Sequence, residues 1–170
     1  ESLTLVKETE LWTSPVEWKN PHKVKETRKK AERLVAVVDE YTELIDETLG
    51  EKGMVKIRDM KLGSHFNEGY SRGLEASSEL IGKEKALMST TRTWGQSMVD
   101  LLVIADEKLV LMDGNIPKFS TDEDAQRYRS LSNTVQEDRH ILGEMAMQYV
   151  KSYEEYQKTW EDKVQQAIAN

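Results

Sequence analysis

The sequence predicts an all-α protein: an elongated, antiparallel, coiled-coil-like bundle of three long helices preceded by an extended lead-in. Three observations carry this. No proline occurs between Pro21 and Pro117, so nothing in that stretch forbids continuous helix. Apolar residues recur at alternating spacings of three and four over long runs, which marks one buried stripe per helix. A mean hydropathy of −0.67 with 32% charged residues suits thin helical layers with a large solvated surface. At 170 residues the chain is long enough for one domain with a real core, and residues 1–170 are expected to form a single helical-bundle domain.

Residues 1–20 are expected to be the lead-in. Leu3, Leu5 and Val6 alternate weakly, as an extended segment laid against the bundle would. Ser14-Pro15 and Asn20-Pro21 each pair a capping residue with proline at a first helical position, so a short helical turn is expected before the first long helix.

That helix spans residues 21–49. Val24, Thr27, Ala31, Leu34, Val38, Tyr41 and Ile45 form a heptad seam, and Val35, Val37 and Leu44 widen it into a stripe. Gly50 and Gly53 are expected to end it in left-handed conformations. Its charge order is unusual. Lys19, Lys23, Lys25, Arg28, Lys29, Lys30 and Arg33 crowd the start, and Asp39, Glu40, Glu43, Asp46, Glu47 and Glu51 the end. Both blocks oppose the helix dipole. The expected reason is complementarity within the bundle, for instance with Glu154, Glu155, Glu161 and Asp162; a basic patch facing an anionic membrane or partner is the alternative.

Residues 54–63 read as a short helix or structured connection bracketed by Gly53 and Gly63. From Ser64, a good cap, periodicity resumes through Tyr70, Leu74, Ser77, Ile81, Met88, Met98, Leu102, Ala105 and Leu109, giving a second long helix over residues 64–112. Gly82 and Gly95 lie inside it, each costing about 1 kcal/mol relative to alanine. They are where it would bend, and a break near Gly82 would make a four-helix bundle. Asp113-Gly114-Asn115 is a turn closed by Pro117, and Leu109–Met112 has the option of pairing as a short strand with Ile116–Phe119. Ser120-Thr121 followed by three acids starts the last helix, residues 122–168, which would extend roughly 70 Å. Its seam is Ala125, Tyr128, Leu131, Val135, Leu142, Met145, Tyr149, Tyr156, Trp160 and Val164. Short connections make such helices antiparallel neighbours.

The residues name no function on their own, but they exclude several. A net charge of −7 argues against general affinity for nucleic acid, and no nucleic-acid partner is expected. The absence of cysteine removes disulfides, thiolate catalysis and cysteine-ligated metals. No nucleophile elbow or phosphate loop occurs, so neither an enzyme nor a cofactor is expected, and no catalytic residue is assigned.

Glu137–His140 is an E-x-x-H, the pairing that di-iron bundles use. Such sites need two copies plus further glutamates, and the nearest companion is His65–Glu68, with the spacing reversed. Solvated helix-face charges are the expected reading of His65, Glu68, Glu137 and His140, and a metal-binding bundle the alternative. Gly69, Gly73 and Ser77 form a small-residue stripe, expected to admit a close neighbouring helix against Tyr149, Tyr153 or Tyr156; a ligand cleft is the other reading. Tyr149, Tyr153, Tyr156 and Trp160 are expected in the core with Trp12 or Trp18 in contact, an aromatic ligand box being the alternative.

The segment Asp113-Gly114-Asn115-Ile116-Pro117-Lys118-Phe119-Ser120-Thr121, followed by Ala125, Tyr128 and Leu131, resembles a stretch in uncharacterised helical lipoproteins of Gram-negative bacteria. There a glycine turn and an Ile/Phe pair lead into a Ser/Thr-capped helix; here Pro117 precedes Phe119, the reverse of the usual order. The resemblance spans about twenty residues, and no catalytic residues come with it. It implies a lipid-anchored envelope protein, with Phe119 and Tyr128 as packing residues at the hairpin tip.

Together these readings point to a non-enzymatic, extracytoplasmic (periplasmic or cell-envelope) helical domain that binds a protein partner or small ligand, or plays a structural role. The first residue, Glu1, is not an initiator Met, which removal of an N-terminal membrane-anchoring segment would explain, as would trimming. A homodimer would cover exposed seam residues. The alternatives are a ligand-sensing receptor ectodomain, the metal-binding bundle, and a cytoplasmic adaptor.

Overall fold

The computed structural model describes residues 20–169; the side chains of residues 164 and 167–169 lie outside that description. The expectations for residues 1–19, including Ser14-Pro15, Trp12 and Trp18, therefore lie outside the described residues. The fold is an all-α bundle. Its elements are α1 (Pro21–Leu49), α2 (Glu51–Asp59), α3 (Ser64–Lys108), β1 (Leu109–Asp113), β2 (Ile116–Phe119) and α4 (Asp122–Ala169). The three long helices stand where the heptad seams put them, and a fourth, short helix fills the connection after Gly50. The chain divides into two compact units, one comprising residues up to Ala36 with Arg92–Arg139, the other Val37–Thr91 with His140–Asn170.

In the first unit α1 begins as its residues dictate: Asn20 Oδ1 accepts from the His22 backbone N–H at 3.0 Å, with Pro21 as first helical residue. Val24 and Ala31, one heptad apart on α1, are buried, as are Met98, Leu101, Leu102, Ile104 and Ala105 of α3 and Tyr128 and Val135 of α4. The Trp94 indole Nε1–H donates to the Val135 carbonyl at 3.1 Å, so this large ring is buried with its polar atom satisfied. Helix α3 is continuous through Gly95. A Cβ there would stand 2.9 Å from Val35 Cγ2, so the glycine lets α1 and α3 approach closely. The helix also runs unbroken past Gly82, so the four-helix arrangement built on a break there does not occur.

Helix α3 ends at Lys108, four residues before the boundary at 112, because Leu109–Asp113 pairs antiparallel with Ile116–Phe119. Gly114 turns the hairpin at φ 61°. A bulge lies between Leu109 and Leu111, and Pro117, which has no N–H to give, is tolerated in a ladder of two strands. Phe119 packs on Tyr128 at a centroid distance of 5.0 Å, and the Thr121 hydroxyl accepts from the Asp124 backbone N–H at 3.1 Å, capping α4. The basic start of α1 does find an acid, but not the C-terminal ones: Lys25 and Arg28 both approach Asp106 of α3 at 4.0 Å.

In the second unit Val38 and Ile45 continue the α1 seam as buried residues. The left-handed glycine ending expected for α1 is not found. Gly50 is extended at φ −91°, and positive φ occurs instead at Lys61 and Gly63, after α2. The reason for both glycines is space: a Cβ on Gly50 would lie 2.6 Å from the Asp46 carbonyl oxygen, and one on Gly53 would press still closer on that of Thr48. The Tyr70 hydroxyl donates to the Thr48 carbonyl at 2.6 Å, tying α3 to the end of α1. Lys85 pairs with Asp46, and Lys83 Nζ donates to Ser152 Oγ at 2.9 Å, which marks the antiparallel register of α3 and α4.

Candidate functional site

The second unit holds the features with functional potential. Gly69 and Gly73 have no heavy atom within 4 Å of the position a Cβ would take, so the small-residue stripe does not admit a close neighbouring helix. It opens a groove of about 560 Å³ between α3 and α4, with Leu80, Tyr156 and Trp160 among its apolar walls and Arg72, Lys83 and Lys163 among its charged ones. Ser77 faces back to its own helix, its hydroxyl donating to the Gly73 carbonyl at 2.9 Å.

Elsewhere in the unit, three helices meet at one carboxylate. The Tyr41 hydroxyl of α1 donates to Glu84 of α3, and the Tyr149 hydroxyl of α4 bonds to the same group. The bond to Glu84, with burial second, pushes the Tyr41 phenol up to about 12. Burial and then Glu84 raise that of Tyr149. A shared acceptor of this kind links the turns of three helices that stand side by side, at a partly exposed position. Phenols raised in this way keep their protons at neutral pH, so the cluster presents no tyrosinate nucleophile.

The four aromatic residues expected in the core divide. Tyr149 and Tyr156 are half-buried, while Tyr153 and Trp160 are exposed, the latter at 58%. The cause is a second seam that runs beside the first and converges with it at Trp160. Gly143, Ala146, Val150, Tyr153, Gln157 and Trp160 follow spacings of three and four along α4, and all but Ala146 are exposed. The signal was in the sequence, visible by counting both registers rather than one.

His65 and Glu68 are exposed in the first turns of α3, and His140 is exposed on α4, 3.4 Å from Glu144. Measured from the Lys83–Ser152 rung, His65 lies 18 residues along α3 and His140 12 residues along α4 in the opposite sense, a separation of roughly 45 Å. The structure does not bring the two histidines together. Glu137 is exposed on the part of α4 that belongs to the first unit. Among the described residues, no group of three or more His, Cys, Asp or Glu is placed to hold a metal ion. Among them, too, no helix is long and apolar enough to cross a membrane.

No family model, no curated protein and no solved structure matches this chain.

Proposed function

We propose that this chain is a non-enzymatic, lipoprotein-like helical module of the bacterial envelope that works by binding a partner through its second unit. One observation carries the binding role. Among the described residues, the buried apolar ones fall in the first unit except Val38 and Ile45, whereas the exposed large apolar ones fall in the second except Val110, Leu111 and Ile116. A unit that buries so little and exposes Met147, Val150, Tyr153 and Trp160 along one helix has the character of an interaction surface. The envelope placement is supported by the resemblance of residues 113–131 to Gram-negative lipoproteins.

The test has two arms in the native cell. The complete gene product fused to alkaline phosphatase should be active outside the cytoplasm, and an inactive but intact fusion overturns the envelope placement. A photocrosslinking residue at Met147 should give a discrete adduct, while one at Gln126, exposed in the first unit, should not; equal yields from both remove the binding role.

A second reading, a ligand-sensing ectodomain, is favoured by the groove beside Gly69 and Gly73, whose volume falls in the range of small-molecule sites. It predicts a ligand-dependent rise in melting temperature that Gly73→Leu, which fills the groove, abolishes.

A further inference from the structure

The outer seam of α4 has a pattern that identifies what covers it. We propose that α4 pairs antiparallel with α4 of a second copy of this chain along Gly143, Ala146, Val150, Tyr153, Gln157 and Trp160. The inference rests on the reading of the second unit as the interacting one and names its partner.

Side-chain size is ordered along the seam. The spacings 143, 146, 150, 153, 157 and 160 alternate three and four, as the two core positions of a heptad do. The first three side chains are small, Gly143, Ala146 and Val150; the last three are large, Tyr153, Gln157 and Trp160. In an antiparallel coiled coil each position of one type meets the other type on the facing helix. Centring a two-fold axis between Lys151 and Ser152 pairs Val150 with Tyr153, Ala146 with Gln157 and Gly143 with Trp160, each taken twice. Every layer thus sets a small residue against a large one, and the bulkiest side chain falls on the residue with none. A parallel pairing would instead stack large on large at one end and leave a void at the other. Gly143 has open space where its Cβ would be, and Trp160, whose other side lines the groove beside α3, keeps 58% of its surface exposed, so both halves of this contact offer free surface within one chain. A helix that fits here needs side chains growing in the same order at the same spacing. This helix itself meets that specification, and a two-fold interface requires such self-complementarity.

The exposed apolar area of the seam also matches what a dimer requires. Val150, Tyr153 and Trp160 of the seam and Met147 on its flank are 48, 42, 58 and 68% exposed. At the side-chain areas of such residues they present roughly 450 Å² of surface. A stable homodimer buries about 800 Å² per partner, about 65% of it apolar. The seam and its flank therefore offer close to the apolar share that a dimer needs. The half-buried Tyr149 and its bond to Glu84 stay undisturbed on the neighbouring stripe.

The experiment uses the full chain. Sedimentation equilibrium should give twice the 19.6 kDa chain mass at micromolar concentration. Val150→Glu strikes two central layers at once and should weaken the dimer at least a hundredfold while circular dichroism retains the helix content. Gly143→Phe stands in open space on its own chain and should weaken it at least tenfold; it makes the same cut if Val150→Glu loses helicity. Because the chain has no cysteine, added thiols report register. Ala146→Cys mixed with Gln157→Cys should form an intermolecular disulfide, and Ala146→Cys alone should not, its two copies lying about 16 Å apart along the axis. A chain that stays monomeric at 100 µM overturns the pairing, as does a dimer indifferent to both substitutions or one that crosslinks through Ala146→Cys alone. A monomeric chain that still gives the Met147 photoadduct with a different protein retains the binding role and loses only the self-pairing.

Discussion

Gly82 and Gly95 lie on the same helix, and replacing each by alanine should have opposite effects. Alanine gains about 1 kcal/mol over glycine in a helix interior through backbone entropy. At Gly82 nothing stands within 4 Å of the new Cβ, so the gain is realised. Gly82→Ala should stabilise by about 0.5–1 kcal/mol. At Gly95 the same methyl meets Val35 Cγ2 at 2.9 Å, with Leu34 Cδ2 at 3.8 Å behind it. Val35 is β-branched and stiff about χ1, so relief requires α1 to move away from α3. Overpacking of this kind costs about 1–3 kcal/mol, which exceeds the propensity gain over most of that range. Gly95→Ala should therefore destabilise by up to about 2 kcal/mol. Removing the obstacle tests the cause. In a double-mutant cycle, Val35→Ala should relieve the penalty, with a coupling of about 1–2 kcal/mol between two residues in contact. Urea unfolding followed by circular dichroism provides all four stabilities. If Gly95→Ala stabilises the protein as much as Gly82→Ala does, or if the cycle shows no coupling, the close approach of α1 and α3 at Gly95 is refuted.

Two further outcomes follow from the hydrogen bonds and the tyrosines. Thr121→Ala removes the hydroxyl that accepts from the Asp124 N–H and should cost about 1 kcal/mol in the same urea assay, with Thr121→Ser restoring most of it. Tyr41 and Tyr128, both raised to about 12, the first chiefly by its bond to Glu84 and the second by burial, bind their protons more tightly folded than unfolded; their contribution is complete below pH 10 and is lost as pH rises towards 12. Ultraviolet absorbance of tyrosinate should show late-titrating tyrosines among the six, and Tyr41→Phe should remove one; six ordinary titrations near pH 10 would contradict both placements.

Much of this fold was legible because helix boundaries depend on local chemistry. Asn20-Pro21, the three acids after Thr121 and the Gly114 turn each act within a few residues, and the structure places element boundaries at each. The strand pairing of Leu109–Asp113 with Ile116–Phe119 was readable for the same reason: a turn and a proline in a short span. What failed was everything that depends on the distance between helices. Glycine at 50, 53, 69, 73 and 95 looks alike in sequence. Gly50 and Gly53 avoid carbonyl oxygens and Gly95 admits a neighbour, whereas Gly69 and Gly73 face open space. For the charge blocks of α1, complementarity within the bundle was legible but the partners were not, since Asp106 becomes the partner of Lys25 and Arg28 only once α3 lies beside α1.

The two interleaved seams of α4 explain why the site was harder to read than the fold. A helix rotates about 100° per residue, so residues 149 and 156 lie one step around from 150 and 157, and both rows satisfy the same three-four rule. Periodicity reports that a stripe exists and leaves open which of two adjacent stripes turns inward. The bond between Tyr149 and Glu84 decides it by claiming the first row for the interior of the unit. The second row is then left with Val150, Tyr153 and Trp160 facing water, although a lone bundle could have carried polar residues there without loss. Single exposed apolar residues need no explanation, but a row of them at heptad spacing, graded from small to large along the helix, does. A second helix supplies one, and the match of Gly143 and Ala146 to Trp160 and Gln157 makes the helix of another copy the one that fits.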